Sequence, residues 1–311
     1  MKILVSGSTG FLGTAVVASL KEKQHEVVRL LRPTSAAPSG DRSVVWDPER
    51  GTLKREALEG LDAVVHLAGE NIAARWTATT KVRIRDSRVR GTRLLCETLA
   101  MLDSPPKVLV SASAVGYYGD RGTELLTERD RPGEGFLAEV CRDWEAATQP
   151  ADEKGIRVVH LRTGVVLSAQ GGALAKMLTP FRLGLGGRIG GGEQFMSWIV
   201  LDDHVRVVET AIEDDDLRGP VNAVAPSPVT NVEFTKALGR VLSRPTVFPM
   251  PRFAAQVAFG EMADEVLLAS TRVDPEVLRS RDYEFRYPDL EDGLRQAVKP
   301  VISDRTTGTD Y

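Results

Sequence analysis

Short apolar runs alternate along this chain with segments whose apolar residues recur at helical spacing. Ile3, Leu4 and Val5 form the first run and read as a buried strand, and Leu12, Val16, Val17 and Leu20 then follow the helix period from Phe11 to Glu22. Glu26 to Leu31 predicts a second strand, completing one βαβ unit. Further strands are expected at Ser43–Asp47, Asp62–Leu67, Lys107–Ala112 and Arg157–Leu161, with helices at Thr77–Met101 and Phe136–Gln149. Such alternation implies the α/β class with a doubly wound parallel sheet. Beyond Leu161 the pattern loosens. Phe195–Leu201 and Gly219–Val224 read as strands, Val205–Ile212 as a helix capped by Asp202 or Asp203, and Thr230–Leu242 as a helix begun by Thr230 and Asn231.

Three glycines, Gly7, Gly10 and Gly13, punctuate the passage from the first strand into the first helix. A turn of this kind lets backbone amides approach a pyrophosphate, and the helix N-terminus adds unpaired N–H groups and partial positive charge. A dinucleotide is the functional reading; a turn that needs glycine only for its backbone angles is the plain one. The end of the second strand bears on the cofactor, because an acid there accepts from the ribose hydroxyls of NAD. Arg32 stands there instead, with Arg29 nearby and no carboxylate between Glu26 and Asp41. Guanidinium suits a 2′-phosphate, so NADP(H) is expected over NAD, against the alternative of two solvated surface arginines.

In doubly wound sheets, ligands sit beyond the carboxyl ends of the strands. That rule gathers Leu67, Ala68, Gly69 and Glu70, then Ser111, Ser113, Tyr117 and Tyr118, then Arg162, beside the glycine turn. The expected cofactor contacts are Gly7, Thr9, Gly10, Phe11, Leu12, Gly13, Arg32, Leu67, Ala68, Gly69, Ser111 and Arg162. Ser113, Tyr118, Tyr117 and Glu70 are the candidates for proton transfer, since hydroxyls beside a reacting carbonyl can hydrogen-bond it. The plain alternative has the serines capping a strand and the tyrosines packing. His66 lies inside its strand and reads as a core histidine. The glycine-rich run Gly184–Gly192 reads as a mobile loop belonging to a lid, as no strand-to-helix frame surrounds it. The expected organisation is a Rossmann domain, 1–165 plus about 195–222, with a smaller C-terminal α/β substrate domain, 166–194 plus 223–300. Residues 303–311 are polar and expected to be disordered.

Composition narrows the partners. The 311 residues carry 40 Lys and Arg against 43 Asp and Glu, a formal charge of −3 that favours neither nucleic acid nor an anionic membrane surface. A small-molecule substrate is the expected partner, with a homodimer as a further expectation. Cys96 and Cys141 are the only cysteines and lack metal-ligand spacing, so reduced, buried thiols and no metal are expected. With no membrane-length apolar run and no room for a signal peptide before the first strand, a cytoplasmic protein is expected.

With these features placed, the chain resembles an extended short-chain dehydrogenase/reductase, the superfamily of nucleotide-sugar epimerases and dehydratases. GxxGxxG at Gly7, Gly10 and Gly13, LAG at Leu67–Gly69 and the Ser113–Gly119 loop carry that likeness. GENIAARWT (69–77), SRVRGTRLL (87–95), FLAEVCRDWE (136–145), SWIVLDD (197–203), GPVNAVAPSPVTN (219–231) and GEMADEVLLAS (260–270) resemble more narrowly its uncharacterised "epimerase family" branch, which has its own small C-terminal domain. The resemblance implies an NADP(H)-dependent oxidoreductase or epimerase-like enzyme. It also exposes a departure. Active members of the superfamily use a Tyr-x-x-x-Lys pair in which lysine lowers the tyrosine pKa. Residues 133–149 contain neither residue type, the lysine register falling on Val140 or Cys141, and the superfamily's asparagine in the long helix is replaced by Arg88. A non-catalytic NADPH-binding sensor or regulator is therefore the alternative.

Overall fold

The computed structural model describes residues 1–35 and 40–299. The expected disordered tail at 303–311 lies outside them. Eight strands make one sheet: β1 (Lys2–Ser6), β2 (Glu26–Leu31), β3 (Arg42–Asp47), β4 (Thr52–Leu53), β5 (Ala63–His66), β6 (Val108–Ala114), β7 (Arg157–Thr163) and β8 (Gly219–Ala223). Their spatial order is β8-β7-β6-β5-β1-β2-β3-β4, and every pairing is parallel except β3 with β4. The order reverses between β1 and β5, which creates the crevice where doubly wound sheets take their ligands.

Alternation along the strands explains the two flanking layers. Ile3 and Val5, with Ala63, Val65, Val108 and Val110, face one side, where Val16, Val17 and Leu20 of α1 (Phe11–Glu22) meet them. Leu4, Val64, Leu109 and Val158 face the other, against Leu95, Cys96 and Leu99 of the long helix α2 (Ala78–Ala100). Each wholly buried Val or Leu is worth about 1.5–3 kcal/mol, so both faces of β1 act as a nucleus of the core. Helix α3 (Phe136–Ala146) buries Ala138, Val140, Cys141 and Trp144 and is followed by the short α4 (Gln149–Glu153). The single helix expected over 136–149 therefore breaks near Ala147 and Thr148, where Pro150 supplies no N–H to continue it.

The remaining residues build a second core. Leu167, Leu174 and Phe181 pack with Trp198, Phe234, Leu238, Leu290 and Leu294; they come from α5 (Gly172–Arg182), α7 (Asn231–Leu242), the last helix Leu290–Ala297 and the connecting strands. Helix α7 starts with a capping box, Thr230 and Glu233 each satisfying the other's backbone amide, as the residue types at that start lead one to expect. The segment expected as one strand over 195–201 is two short strands, Phe195–Met196 and Trp198–Val200, on different partners. Helix α6 (Leu201–Glu213) thus starts at Leu201 rather than Val205, with no side-chain cap. Asp203 is inside its first turn, wholly buried, and accepts from the Arg286 and Tyr287 amides at 2.9 Å each. Asp202 instead accepts from Gln296 Nε2. The two carboxylates tie α6 to the C-terminal segment, a long-range use that local capping rules do not show.

Among the described residues no helix is long and apolar enough to cross a membrane. The glycine-rich run 184–192 has little regular structure but is held at its middle. The amide of Gly190 donates to the Met250 carbonyl, and that of Met250 to the Arg188 carbonyl.

Candidate functional site

The site begins with sterics. Gly7 has φ of +64°, and a Cβ there would come within 2.7 Å of the Leu67 carbonyl group. At Gly13 a Cβ would stand 2.1 Å from the Gly7 carbonyl oxygen, and at Gly10 it would stand 3.2 Å from the same atom. The first glycine therefore allows the turn to press on the end of β5, and the third lets α1 sit directly on the turn. Helix α1 has no side-chain cap, and its first in-turn acceptor, the Gly10 carbonyl, is taken by the Thr14 amide. The amides of Phe11, Leu12 and Gly13 precede that bond, so the helix offers unpaired donors at the crevice.

Polar groups brace this turn from behind. The buried Arg29 donates from Nη1 to the Ser8 carbonyl (2.7 Å) and from Nε to Asp41 (2.6 Å). Hydrogen bonds from Lys21 and Arg29 hold the Asp41 carboxyl below the usual carboxylate range. Arg29 is thus committed to the turn, whereas Arg32 is exposed and has no carboxylate partner among the described residues. Ser6 Oγ accepts from the Leu67 and Ala68 amides and meets His66 Nδ1 at 2.7 Å. Ser6 donating to Nδ1 leaves Nε2–H to donate to Thr92 Oγ1 (2.9 Å), which also accepts from Trp144 Nε1. His66 is a satisfied core histidine, kept neutral by burial, which draws its pKa down to about 4.

A second cluster lies on the other side of β5, and the register creates it. Ser113 of β6, Arg162 of β7 and Asn222 of β8 are partners in one row across three parallel strands. Glu145, at the end of α3, closes over them. Arg162 grips it with Nε and Nη2 at 2.8 Å each, and Ser113 Oγ donates to the same carboxylate at 2.7 Å. Arg162 Nη1 donates to the Tyr118 hydroxyl, which donates onward to Asn222 Oδ1 (2.7 Å). Asn222 in turn donates to the Asp274 carbonyl, and its amide donates to Glu128, joining the C-terminal segment to the sheet. Burial alone lowers the Arg162 pKa, but the bonds and charge of Glu145 outweigh it and leave the guanidinium above its usual value. Burial pushes the Tyr118 hydroxyl up to about 12 despite Arg162.

These contacts distribute the expected site residues. Gly7, Gly10 and Gly13 and the Thr9–Leu12 stretch form the turn, with Leu67, Ala68 and Gly69 against it and exposed Arg32 at the end of β2. Ser111 aligns with His66, and its buried hydroxyl, like that of Ser8 in the turn, has no hydrogen-bond partner among the described residues. Arg162 is held in the Glu145 ion pair with its side chain 4% exposed. Tyr118 is wholly buried with its hydroxyl engaged on both sides. Tyr117 is half-buried, its ring lying 3.5 Å from Arg162 Cζ, and its hydroxyl makes no hydrogen bond among the described residues. Glu70 is partly exposed, its amide held by Ser87 Oγ. Glu145 and Asn222 escaped the sequence reading. For Glu145 a signal existed: Leu137, Cys141 and Glu145 recur at four-residue steps, which places them on one face of α3. Asn222 had none, because its role depends on strand register.

Residues 3–223 match the model of the NAD dependent epimerase/dehydratase family, and residues 250–297 match a domain of unknown function, DUF1731. The chain belongs to the NAD dependent epimerase/dehydratase family and carries the DUF1731 domain at its C-terminal end. Among its relatives, Epimerase family protein Mb2239 of Mycobacterium bovis is 45% identical over 297 residues, covering 95% of this chain and 97% of that protein. Human epimerase family protein SDR39U1 is 38% identical, covering 96% and 100%. The crystal structure of human SDR39U1 isoform 2 with NADPH superposes with a TM-score of 0.87 at 36% identity, covering 96% of this chain and 99% of that one.

Proposed function

We propose that this chain binds NADP(H) across the glycine turn and acts as an oxidoreductase or epimerase-like enzyme without the Tyr-x-x-x-Lys pair. The steric cradle at Gly7 and Gly13 carries the reading: it presents the bare N-terminus of α1 to the crevice at the topological switch point. NADPH in the human relative's crystal structure supports the same cofactor here. The amides of Phe11, Leu12 and Gly13 would receive the pyrophosphate, and Arg32, left free while Arg29 braces the turn, would receive the 2′-phosphate. When bound, the nicotinamide supplies or accepts a hydride. The substrate is a small molecule, held between the sheet and the lobe made by 166–194 and 223–300. Of the hydroxyl candidates, Tyr117 has the uncommitted group, whereas Ser113 is hydrogen-bonded to Glu145 and Tyr118 to Asn222. Two buried, unpaired cysteines fit a reducing, cytoplasmic setting.

Replacing Arg32 with Ala should weaken NADPH binding at least tenfold and NADH binding little, read by fluorescence titration. Equal weakening of both would remove the 2′-phosphate assignment. The second reading, a sensor without turnover, is favoured by the buried, doubly bonded Tyr118 hydroxyl. Loss of NADPH absorbance with a panel of carbonyl compounds and sugar nucleotides selects the enzyme, provided Tyr117→Phe slows it; tight NADPH binding with no oxidation across the panel selects the sensor.

A further inference from the structure

Helix α2 turns one stripe toward the sheet, and Thr80, Ile84, Thr92, Leu95 and Leu99 are buried along it. Arg88 stands on that stripe, four residues after Ile84 and four before Thr92. Arg88 is half-buried, and a cation partly withdrawn from water is stabilised by an anion. Arg88 forms no ion pair among the described residues, Glu70 acting on it only from a distance, and its one hydrogen bond runs from Nη1 to the Ile84 carbonyl at 3.1 Å. Its guanidinium lies 5.0 Å from the Trp144 ring centre, fixed by stacking rather than by a carboxylate. Its other face abuts the backbone of Gly69. A Cβ built there would stand 3.2 Å from Cζ and 3.3 and 3.4 Å from the two terminal nitrogens. Gly69 is exposed at the carboxyl end of β5, so the fork lies at the open end of the crevice. Burial lowers the Arg88 pKa, and the nearby Cys141 and Glu70 raise it again.

We propose that Arg88 is the anion-binding residue of the second-ligand subsite, so that the molecule bound beside the cofactor carries a carboxylate or phosphate whose oxygens accept from its guanidinium. The proposal rests on the reading of the crevice as an NADP(H) site. The chemistry favours an oxyanion: a planar fork with uncommitted N–H donors, partly desolvated and held on an aromatic ring, pairs best with the paired oxygens of such a group. The neighbouring arginines of α2 differ in kind. Arg85 pairs with Asp143 and Arg90 with Asp86, both toward solvent.

The test uses the full chain saturated with NADPH, so that the pyrophosphate cradle is filled, and titrates it at constant ionic strength. Malonate and inorganic phosphate are the probes and malonamide is the neutral control, followed by calorimetry and NADPH fluorescence. Saturable binding of malonate, phosphate or both is expected, with none of malonamide, and the tighter probe identifies the source of the oxyanion. Arg88→Met should weaken that binding about ten- to hundredfold, with Arg88→Lys intermediate. Arg88→Gln serves if the Met variant does not fold. The assignment is overturned if neither anion saturates the wild type, or if Arg88→Met binds them as tightly. Failure of NADPH to bind the wild type would count against the cofactor reading alone, and malonate titration of the free protein and Arg88→Met would still decide the role of Arg88.

Discussion

Arg162 and Glu145 form a pair whose side chains are only 4% and 12% exposed, so each is the other's main compensation for lost water. Glu145→Gln or Arg162→Met alone should therefore cost about 3 kcal/mol or more, seen as a lowered urea midpoint, because one charge is left buried. The double variant should recover much of the loss. Histidines give the opposite kind of dependence. His66 and His204 are fully buried and held neutral, with pKa values drawn down to about 4 from 6.5. Unfolded, each takes up its proton as pH falls through 6.5; folded, it does so only near 4. Stability is thus complete above pH 6.5 and falls as the pH drops toward 4, by about 3 kcal/mol per histidine. Urea titrations between pH 7 and 4 should show this slope, and His66→Gln should flatten it by one proton. At this scale the glycines were legible in the sequence because a missing Cβ has the same meaning in any context. Arg162 was not. Its residue type suits a phosphate, but its position in the row with Ser113 and Asn222 gives it to Glu145.

Helix α3 is the element where the superfamily's acid and base would stand, and its start is built by a distant residue. Gly135 at its N-cap has no side chain to offer, and Glu265, in the short π-turn Ala263–Leu267, accepts from the Phe136 and Leu137 amides at 2.9 and 2.8 Å. Glu265→Ala should cost about 1–2 kcal/mol and speed amide exchange in the first turn of α3 before that of β6. Elements of this molecule were read well from the sequence wherever they are sustained by their own periodicity, as in β1, α1 and α7. They were misread where tertiary partners set the ends. The start of α6 moved four residues upstream because Asp203 serves the Arg286 and Tyr287 amides rather than capping a helix begun after it, and nothing local records those partners.

The whole molecule joins two cores through the polar chain that runs from Arg162 by way of Tyr118 and Asn222 to Asp274. A ligand that closes the crevice should stabilise both together. NADPH at a hundred times its Kd adds about 2.7 kcal/mol, a rise in Tm of about 5 °C in a single transition, and NADH at the same concentration should give much less. Two separate transitions, with only one shifted, would mean that the cores unfold independently. The sheet topology was readable at this scale from strand–helix alternation alone, while the joining of the lobes was not, since it consists of contacts between residues 44 to 104 positions apart. Glu265, the residue that completes α3, is translated about 130 positions after the helix begins. Until the C-terminal segment has left the ribosome, the Phe136 and Leu137 amides lack their acceptor, so the first turn of α3 is among the last parts of the fold to be fixed.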